Sequence, residues 1–403
     1  MSAKYSNGRL SLLPREYGTF RPIIFKFLLE SVLPHSKSIF DPMAGTAPLI
    51  PYIEKEGIKG HFNDILPIYY FINKAKTFDC FLILRNKEKR NKDFLFKEVF
   101  QCLLPLDKKR LLISQNWIHE DILGALINGW EKTKKYEDDI STVLKAIILL
   151  CVRPYSCFTP AISNHTWLKM GGMSTGKSLR DVVRENINKL QTFYTYHYAK
   201  DKIAQKGSCG FSCVDTKFLN LESKYDTIFS SPPYANRFDP RRFFGPEFFF
   251  LKHIGHDVEE GAILGTTKVK DYPQYNEDMI FIKRVAPLTL SFLEAVLEKS
   301  EKSEVKYYPR CFIRYYSDLF RSLQNIMRFL TAKGNIYLVV QNNIHRGEQN
   351  EMNEYLMDFF KRAGFETKIV FQKVQPHQGK RNISEKYPLV IKKQLECIIR
   401  AYK

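Results

Sequence analysis

Near the start of the chain, the apolar run Ser38-Ile-Phe-Asp41 meets the turn Pro42-Met-Ala-Gly-Thr46, and an apolar helical stretch follows through Ile53 and Glu56. Gly57 and Gly60 stop that helix, and a second short run, His61-Phe-Asn-Asp64, comes next. Strand, tight turn, helix, strand is a βαβ unit, which commits the chain to a sheet with a helix packed across it. Both strands end on an acid.

The same grammar resumes far downstream. Gly210-Phe-Ser-Cys-Val-Asp215 and Tyr225-Asp-Thr-Ile-Phe-Ser230 are short apolar runs that end in polar residues. A helix over Ser317–Leu330 leads to the buried-strand candidate Gly334–Gln341, and a helix over Glu351–Ala363 ends at Gly364. Strand-like Glu366–Gln372 and Gln394–Ala401 are placed to form an antiparallel pair. A helix over Phe20–Leu33, with Pro22 near its start, precedes the first strand. The expected fold class is therefore α/β.

Between these parts, Ile68 to Lys200 reads as mostly helical, with Ala146–Val152 apolar enough to be buried and Arg85–Arg110 rich in basic residues. The expected organisation is one discontinuous domain over residues 1–78 and 201–403, interrupted by a helical insertion over 79–200. Within the domain, residues 237–309 are polar and aromatic without a clear period, and read as long loops with some helix. Neither repeats nor low-complexity segments stand out.

Composition narrows the class. Hydrophobic residues make up 44% and charged residues 26% of the 403 residues, as in a folded protein. No apolar run approaches the roughly 18–20 residues of a membrane span, and no secretory leader is evident, so the expectation is a cytoplasmic protein without a membrane partner. The eight cysteines are scattered and form no Cys-x-x-Cys pair, which reads as reduced thiols. Cys209 and Cys213 lack companions for a zinc site, so no metal is expected. The formal charge of +19 favours a polyanionic partner without distinguishing DNA, RNA or an acidic protein.

The chemistry is concentrated in Ser231-Pro-Pro-Tyr234, directly after the run Tyr225–Ser230. In an open α/β sheet, ligands bind beyond the carboxyl ends of strands. Two prolines make a rigid turn whose carbonyls still accept hydrogen bonds. The exocyclic amine of a nucleobase is a poor nucleophile because its lone pair is delocalised into the ring. Acceptors such as Ser231 Oγ and the Pro232 carbonyl can orient such an amine, and Tyr234 can stack on a base taken out of a helix. The plainer alternative is a structural Pro-Pro turn with a packed tyrosine.

The first turn, Asp41-Pro-Met-Ala-Gly-Thr-Ala47, is shaped to bring backbone N–H groups and a helix start near a ligand. Asp64, at the end of the next strand, can accept hydrogen bonds from ribose hydroxyls, and Asp215 is placed similarly at the end of a third strand. Each acid alone could be an ordinary cap.

These segments resemble a family. Asp41–Ala47 is similar to the cofactor loop of S-adenosylmethionine-dependent amino-methyltransferases, and Ser231-Pro-Pro-Tyr234 to their catalytic motif in the form common among cytosine-N4 DNA methyltransferases. The continuation Ala235-Asn-Arg-Phe-Asp239, with Glu247 further on, resembles a subset of bacterial DNA modification methylases. The resemblance covers Gly18–Lys76 and Gly207–Asp239 well and the terminal strands loosely. It implies a Rossmann-like seven-stranded methyltransferase sheet and S-adenosylmethionine as cofactor. By it, Asp41, Pro42, Met43, Ala44, Gly45 and Thr46 line the methionine and ribose side, Asp64 binds ribose, Asp215 binds adenine, and Gly18-Thr19-Phe20 closes over the cofactor. Ser231, Pro232, Pro233 and Tyr234 take the catalytic role. Met43 stands where the family usually has an aromatic, and Ala47 where it often has a second glycine.

The activity this implies is base-flipping methylation of double-stranded DNA at cytosine N4, within restriction-modification where a cognate endonuclease accompanies it. The alternatives are adenine-N6 methylation and a non-catalytic nucleic-acid-binding protein on the same scaffold. Cytosine-C5 chemistry needs a cysteine nucleophile, typically after proline, and no Pro-Cys occurs. Protein glutamine methylation goes with asparagine at position 231. RNA guanine-N2 methylation goes with an RNA-binding domain ahead of the loop, and only Met1–Phe40 precedes Asp41. The insertion (79–200) and the segment 237–309 are the candidates for reading DNA. Arg237, Arg241 and Arg242, interleaved with phenylalanines, suit a strand-gripping loop or a solvated one. Gly171-Gly-Met-Ser-Thr-Gly-Lys-Ser178 matches a phosphate-loop pattern, but what precedes it is not a buried strand. Its Lys177 and the nearby Lys169 suit DNA phosphates or a solvated turn equally.

Overall fold

The structure is a computed structural model that describes residues 12–13, 21–85, 92–103, 117–160, 168–170, 177–198, 207–234, 243–266, 272–300, 308–345, 347–375 and 394–403. Seven strands form one sheet: β1 (Ser38–Asp41), β2 (Lys59–Asn63), β3 (Ser208–Ser212), β4 (Tyr225–Ser230), β5 (Leu330–Gln341), β6 (Glu366–Gln375) and β7 (Gln394–Tyr402). Across the sheet the order is β6-β7-β5-β4-β1-β2-β3. β1 pairs in parallel with β2 and β4, β2 with β3, and β4 with β5. β7 alone runs against its neighbours β5 and β6. This is an α/β fold with a mixed sheet, compatible with Rossmann-like winding. The final antiparallel pair matches the expectation from sequence, with β6 extending three residues further.

The winding reverses at one place. From β1 the chain moves outward through β2 and β3, then returns to the other side of β1 as β4. The carboxyl ends of β1 and β4 therefore flank the topological switch point, where the outgoing connections diverge and leave a crevice.

Alternation along the strands explains why they are buried on both faces. Phe40, Ile228, Leu338 and Ile399 enter one core, with residues of the helices Tyr275–Val285, Leu288–Glu298, Tyr308–Met327 and Met352–Arg362. Ile39, Phe229, Val339 and Ile398 enter the opposite core, against Ile24 and Phe25 of the helix Pro22–Phe27 and Ile50 and Ile53 of the helix Ile50–Lys55. The helix expected over Phe20–Leu33 is regular only to Phe27; a π-helical turn over Leu28–Val32 and a 3-10 turn at Leu33–His35 finish it.

A third core forms from the insertion's helices Phe78–Arg85, Lys92–Leu103, Glu120–Lys132, Asp138–Val152 and Leu179–Tyr198, joined by Pro67–Lys74 and Gly245–His253. Asp138–Val152 is apolar nearly all round and sits at its centre, as a helix without a polar face must. Tyr198 and the buried Glu54 tie this core to the sheet: Tyr198 Oη lies 2.6 Å from Glu54 Oε2, which also accepts the Phe78 N–H at 2.9 Å.

Two expectations need correcting. The insertion is not purely helical, because Phe158–Pro160 and Leu168–Met170 form a small antiparallel hairpin apart from the main sheet. Three residues per strand are too few to show a period-2 pattern. Among its described residues the segment 237–309 also carries more helix than long loops would: Gly245–His253, Tyr275–Val285 and Leu288–Glu298 are α-helices. Its aromatic residues face two cores, Phe243, Phe244 and Phe250 entering the insertion and Phe281 and Phe292 the sheet core, which blurs any single helical stripe.

A buried ion pair holds the first of these helices. Arg153 donates to both carboxylate oxygens of Glu247, at 2.7 and 3.0 Å, and to the Phe243 carbonyl at 2.8 Å. Glu247 is thus a clamp between the insertion and the segment that follows Tyr234. Removing one member strands the other's charge in the interior. Glu247→Ala should destabilise the protein by about 3–5 kcal/mol in thermal unfolding, and the double variant Arg153→Met/Glu247→Leu should recover most of that loss.

Candidate functional site

The polar residues that end β1, β2, β3 and β4 converge on the switch point. Asp41 is 2% exposed, and its Oδ1 accepts the Ser230 hydroxyl at 2.9 Å and the Met43 N–H at 3.2 Å. The last residues of β1 and β4 are thereby joined side chain to side chain, and Ser231-Pro-Pro-Tyr234 begins at the next residue. Burial pushes the Asp41 carboxyl up to about 7, opposed by those two donors and reinforced by the charge of Asp64. Burial likewise pushes Asp64 up to about 6, although it accepts the N–H groups of Leu66 (2.9 Å) and Gly45 (2.8 Å).

The first turn does not present an anion cradle. Four of its N–H groups are used internally: Met43 donates to Asp41, Ala44 to the Asn63 carbonyl at 2.8 Å, Gly45 to Asp64, and Ala47 to the Ala44 carbonyl at 2.8 Å. The helix also begins later than the sequence suggests, at Ile50. The chain reaches this tight path with left-handed backbone at Gly45 (φ 51°) and, less comfortably, at Ala47 (φ 40°). Position 47 thus adopts a backbone that glycine favours, although a glycine is not there.

Several residues that the sequence reading passed over shape the site. Asn63, fully buried, reaches the Pro42 carbonyl (3.0 Å), the Val214 carbonyl (2.9 Å) and Thr216 Oγ1 (3.3 Å), and its Oδ1 accepts from the Ser212 hydroxyl (2.8 Å) and the Val214 N–H (3.2 Å). One amide therefore fastens the ends of β1, β2 and β3. Asn73 donates to the Gly45 carbonyl at 2.8 Å, and the buried Lys76 ammonium to the Thr46 carbonyl. The legible signal for Asn63 was its place at the polar end of an apolar run; Asn73 and Lys76 lie on another element and carry no local cue.

Asp41, Gly45, Thr46, Asp64 and Ser231 are thus brought together around one set of strand ends. Asp215 is more occupied than expected. Its Oδ1 accepts the Lys217 N–H at 2.9 Å, and the Lys217 ammonium sits 3.5 Å from Oδ2 but only 2.6 Å from Asp318 Oδ1. In the tetrapeptide, Pro232 is buried, Ser231 and Tyr234 are half-buried and Pro233 is exposed. Thr19, Phe20, Arg237, Arg241 and Arg242 lie outside the described residues, as do the glycines of the phosphate-loop pattern and the Lys169 side chain. Leu168–Met170 does form a strand before that pattern, but in the isolated hairpin and not the central sheet. Lys177 is exposed and paired with Glu185 at 2.6 Å, an ordinary surface contact.

Compared with known proteins, the chain matches no family model and no curated sequence. Among the described residues, no group of three His, Cys, Asp or Glu side chains is arranged to hold a metal ion, and no helix is long and apolar enough to cross a membrane.

The raised Asp41 carboxyl makes a stability prediction with a definite sign. The folded chain keeps this proton above the pH at which the unfolded chain loses it, so folding stability falls as pH rises from about 4 to 7. Asp41→Asn should remove that loss, stabilising the protein by about 1–3 kcal/mol at pH 8 and changing little at pH 4, as read from unfolding curves at both values.

Proposed function

We propose that this chain is an S-adenosylmethionine-dependent DNA methyltransferase acting on an exocyclic amine, most readily cytosine N4. The observation that carries the reading is the Asp41–Ser230 hydrogen bond, which sets the first turn and Ser231-Pro-Pro-Tyr234 side by side at the switch point. Two motifs that resemble a cofactor loop and a catalytic tetrapeptide share one crevice, although 189 positions separate the bonded residues in sequence.

The electrostatics support a cationic ligand over an anionic one. Most turn N–H groups that would grip a pyrophosphate are used, while the buried Asp41 and the half-buried Asp64 both have raised pKa values. A positive ligand group stabilises such carboxylates in their charged form. Thr46 Oγ1 is buried without a hydrogen-bond partner among the described residues, a further polar atom in the same turn. These residues fit S-adenosylmethionine: Asp41 and Thr46 would hold its charged methionine end, and Asp64 has lone pairs left that would accept its ribose hydroxyls. Bound there, the cofactor would supply an electrophilic methyl group on a sulfonium.

What the chain contributes is placement. Ser231 Oγ and the Pro232 carbonyl accept the two hydrogens of the amine and turn its lone pair out of conjugation. Tyr234 stacks on the flipped base, and the buried Pro232 helps keep water from the reacting nitrogen. Duplex DNA is the substrate in this reading, and the excess of basic residues assists its capture.

Transfer of labelled methyl from S-adenosylmethionine to unmethylated genomic DNA, followed by nucleoside analysis, tests the proposal. N4-methylcytosine is the expected product; N6-methyladenine would instead assign the alternative base. Salt-sensitive DNA binding without any transfer would overturn the enzymatic reading. Ser231→Ala and Tyr234→Ala should each lower the transfer rate at least tenfold while cofactor affinity stays within about twofold. Full rate in both variants would sink the site assignment. Cofactor affinity, measured by calorimetry, should also weaken as pH falls from 8 to 5.5, because Asp41 and then Asp64 take up protons and lose their attraction for the cation.

A further inference from the structure

Tyr315 sits in the helix Tyr308–Met327, far from the tetrapeptide in sequence, and is 2% exposed. Its hydroxyl donates to the Pro233 carbonyl at 2.7 Å, with Met352 Sδ at 3.7 Å on its other side. Burial raises the phenol pKa well above the ordinary value, so the group remains a donor throughout the working pH range.

That carbonyl matters because of where freedom remains in Ser-Pro-Pro-Tyr. Both proline rings hold φ, and the second proline restricts the residue before it. The rotation that still aims Tyr234 is ψ of Pro233, which turns the peptide unit containing the Pro233 carbonyl and the Tyr234 nitrogen. A hydrogen bond to this carbonyl sets that angle.

The next peptide unit is held from another direction. Gly265 has a left-handed backbone (φ 82°), and a Cβ there would lie 3.0 Å from the Tyr234 carbonyl oxygen and 3.9 Å from Pro233 Cβ. The turn that contains Gly265 thus packs closely on the Tyr234 backbone, and its left-handed φ favours glycine there. Neither Tyr315 nor Gly265 belongs to the motif itself.

We infer that Tyr315 is a positioning residue that, with Gly265 as its counterpart, holds the Tyr234 backbone so that the ring is presented to the base. Tyr315 does not touch the substrate; it acts through Tyr234. The inference rests on the methyltransferase reading for its consequence in rate, while the clamp is testable without it.

The test is Tyr315→Phe, which removes one oxygen and keeps the ring. Hydrogen exchange at the Tyr234 amide should quicken at least tenfold, with exchange in Leu330–Gln341 unchanged. The maximal methyl-transfer rate on genomic DNA should fall tenfold or more, with cofactor affinity within twofold of the parent. In a Tyr234→Ala background the same substitution should have almost no further effect on rate, because the two residues act as one unit. Unchanged exchange and rate, or a full additive loss beside Tyr234→Ala, would overturn the inference. A parent protein that transfers no methyl would remove the methyltransferase reading, and the exchange measurement would still decide the clamp. Should Tyr315→Phe fail to fold, Gly265→Ala provides the second probe, with faster exchange at Tyr234 expected and unchanged exchange contradicting the clamp.

Discussion

A single hydrogen bond between Ser230 and Asp41 closes the space where β1 and β4 part company. At a switch point the connections after the two strands diverge, so backbone alone leaves a crevice between them. A carboxylate placed there must be satisfied from within or stay protonated. Asp41 takes a hydroxyl from the neighbouring strand and an N–H from its own turn, and still holds its proton to about pH 7. The site is therefore built around an unsatisfied demand for positive charge. In the proposed reading, that demand is what the cofactor meets.

The polar lattice behind it serves the same end. Asn63 binds the ends of three strands, and Asn73, on the helix Pro67–Lys74, and Lys76, in the turn after it, fix two successive carbonyls of the first turn. Because the turn spends N–H groups on Asp41, Asn63 and Asp64, much of its path is fixed by the fold and not by a ligand. Preorganisation of this kind lowers the ordering cost of binding and discriminates by sign of charge. A phosphate finds few donors there; a cation finds two carboxylates.

The insertion is more than a spacer between two halves of a sheet. Its long final helix returns to Glu54, and its Arg153 clamps Glu247 just downstream of the tetrapeptide. Tyr315 holds the motif itself, while Arg153 anchors the helix that follows it in sequence.

Much of this was legible in the chain. The apolar runs ending at Asp41 and Ser230 were read with their observed boundaries, and Asp64 and Ser231 fell at strand ends as expected, because apolar periodicity and breakers are local properties. Residues 237–309 misled because their aromatics serve two separate cores, so no single stripe marks a helix. The turn misled because sequence shows that N–H groups are present but not where they point. Tyr315, Asn73, Lys76 and Arg153 were invisible for a related reason: each acts across a long stretch of chain on a backbone carbonyl or a buried charge, and no spacing rule encodes such a meeting. Local pattern suffices to say which strands exist and which of their ends carry acids. Which ends share a crevice, which donors are already used, and which distant side chain holds the tetrapeptide depend on strand order and packing, because these arise from contacts between residues that only folding brings together.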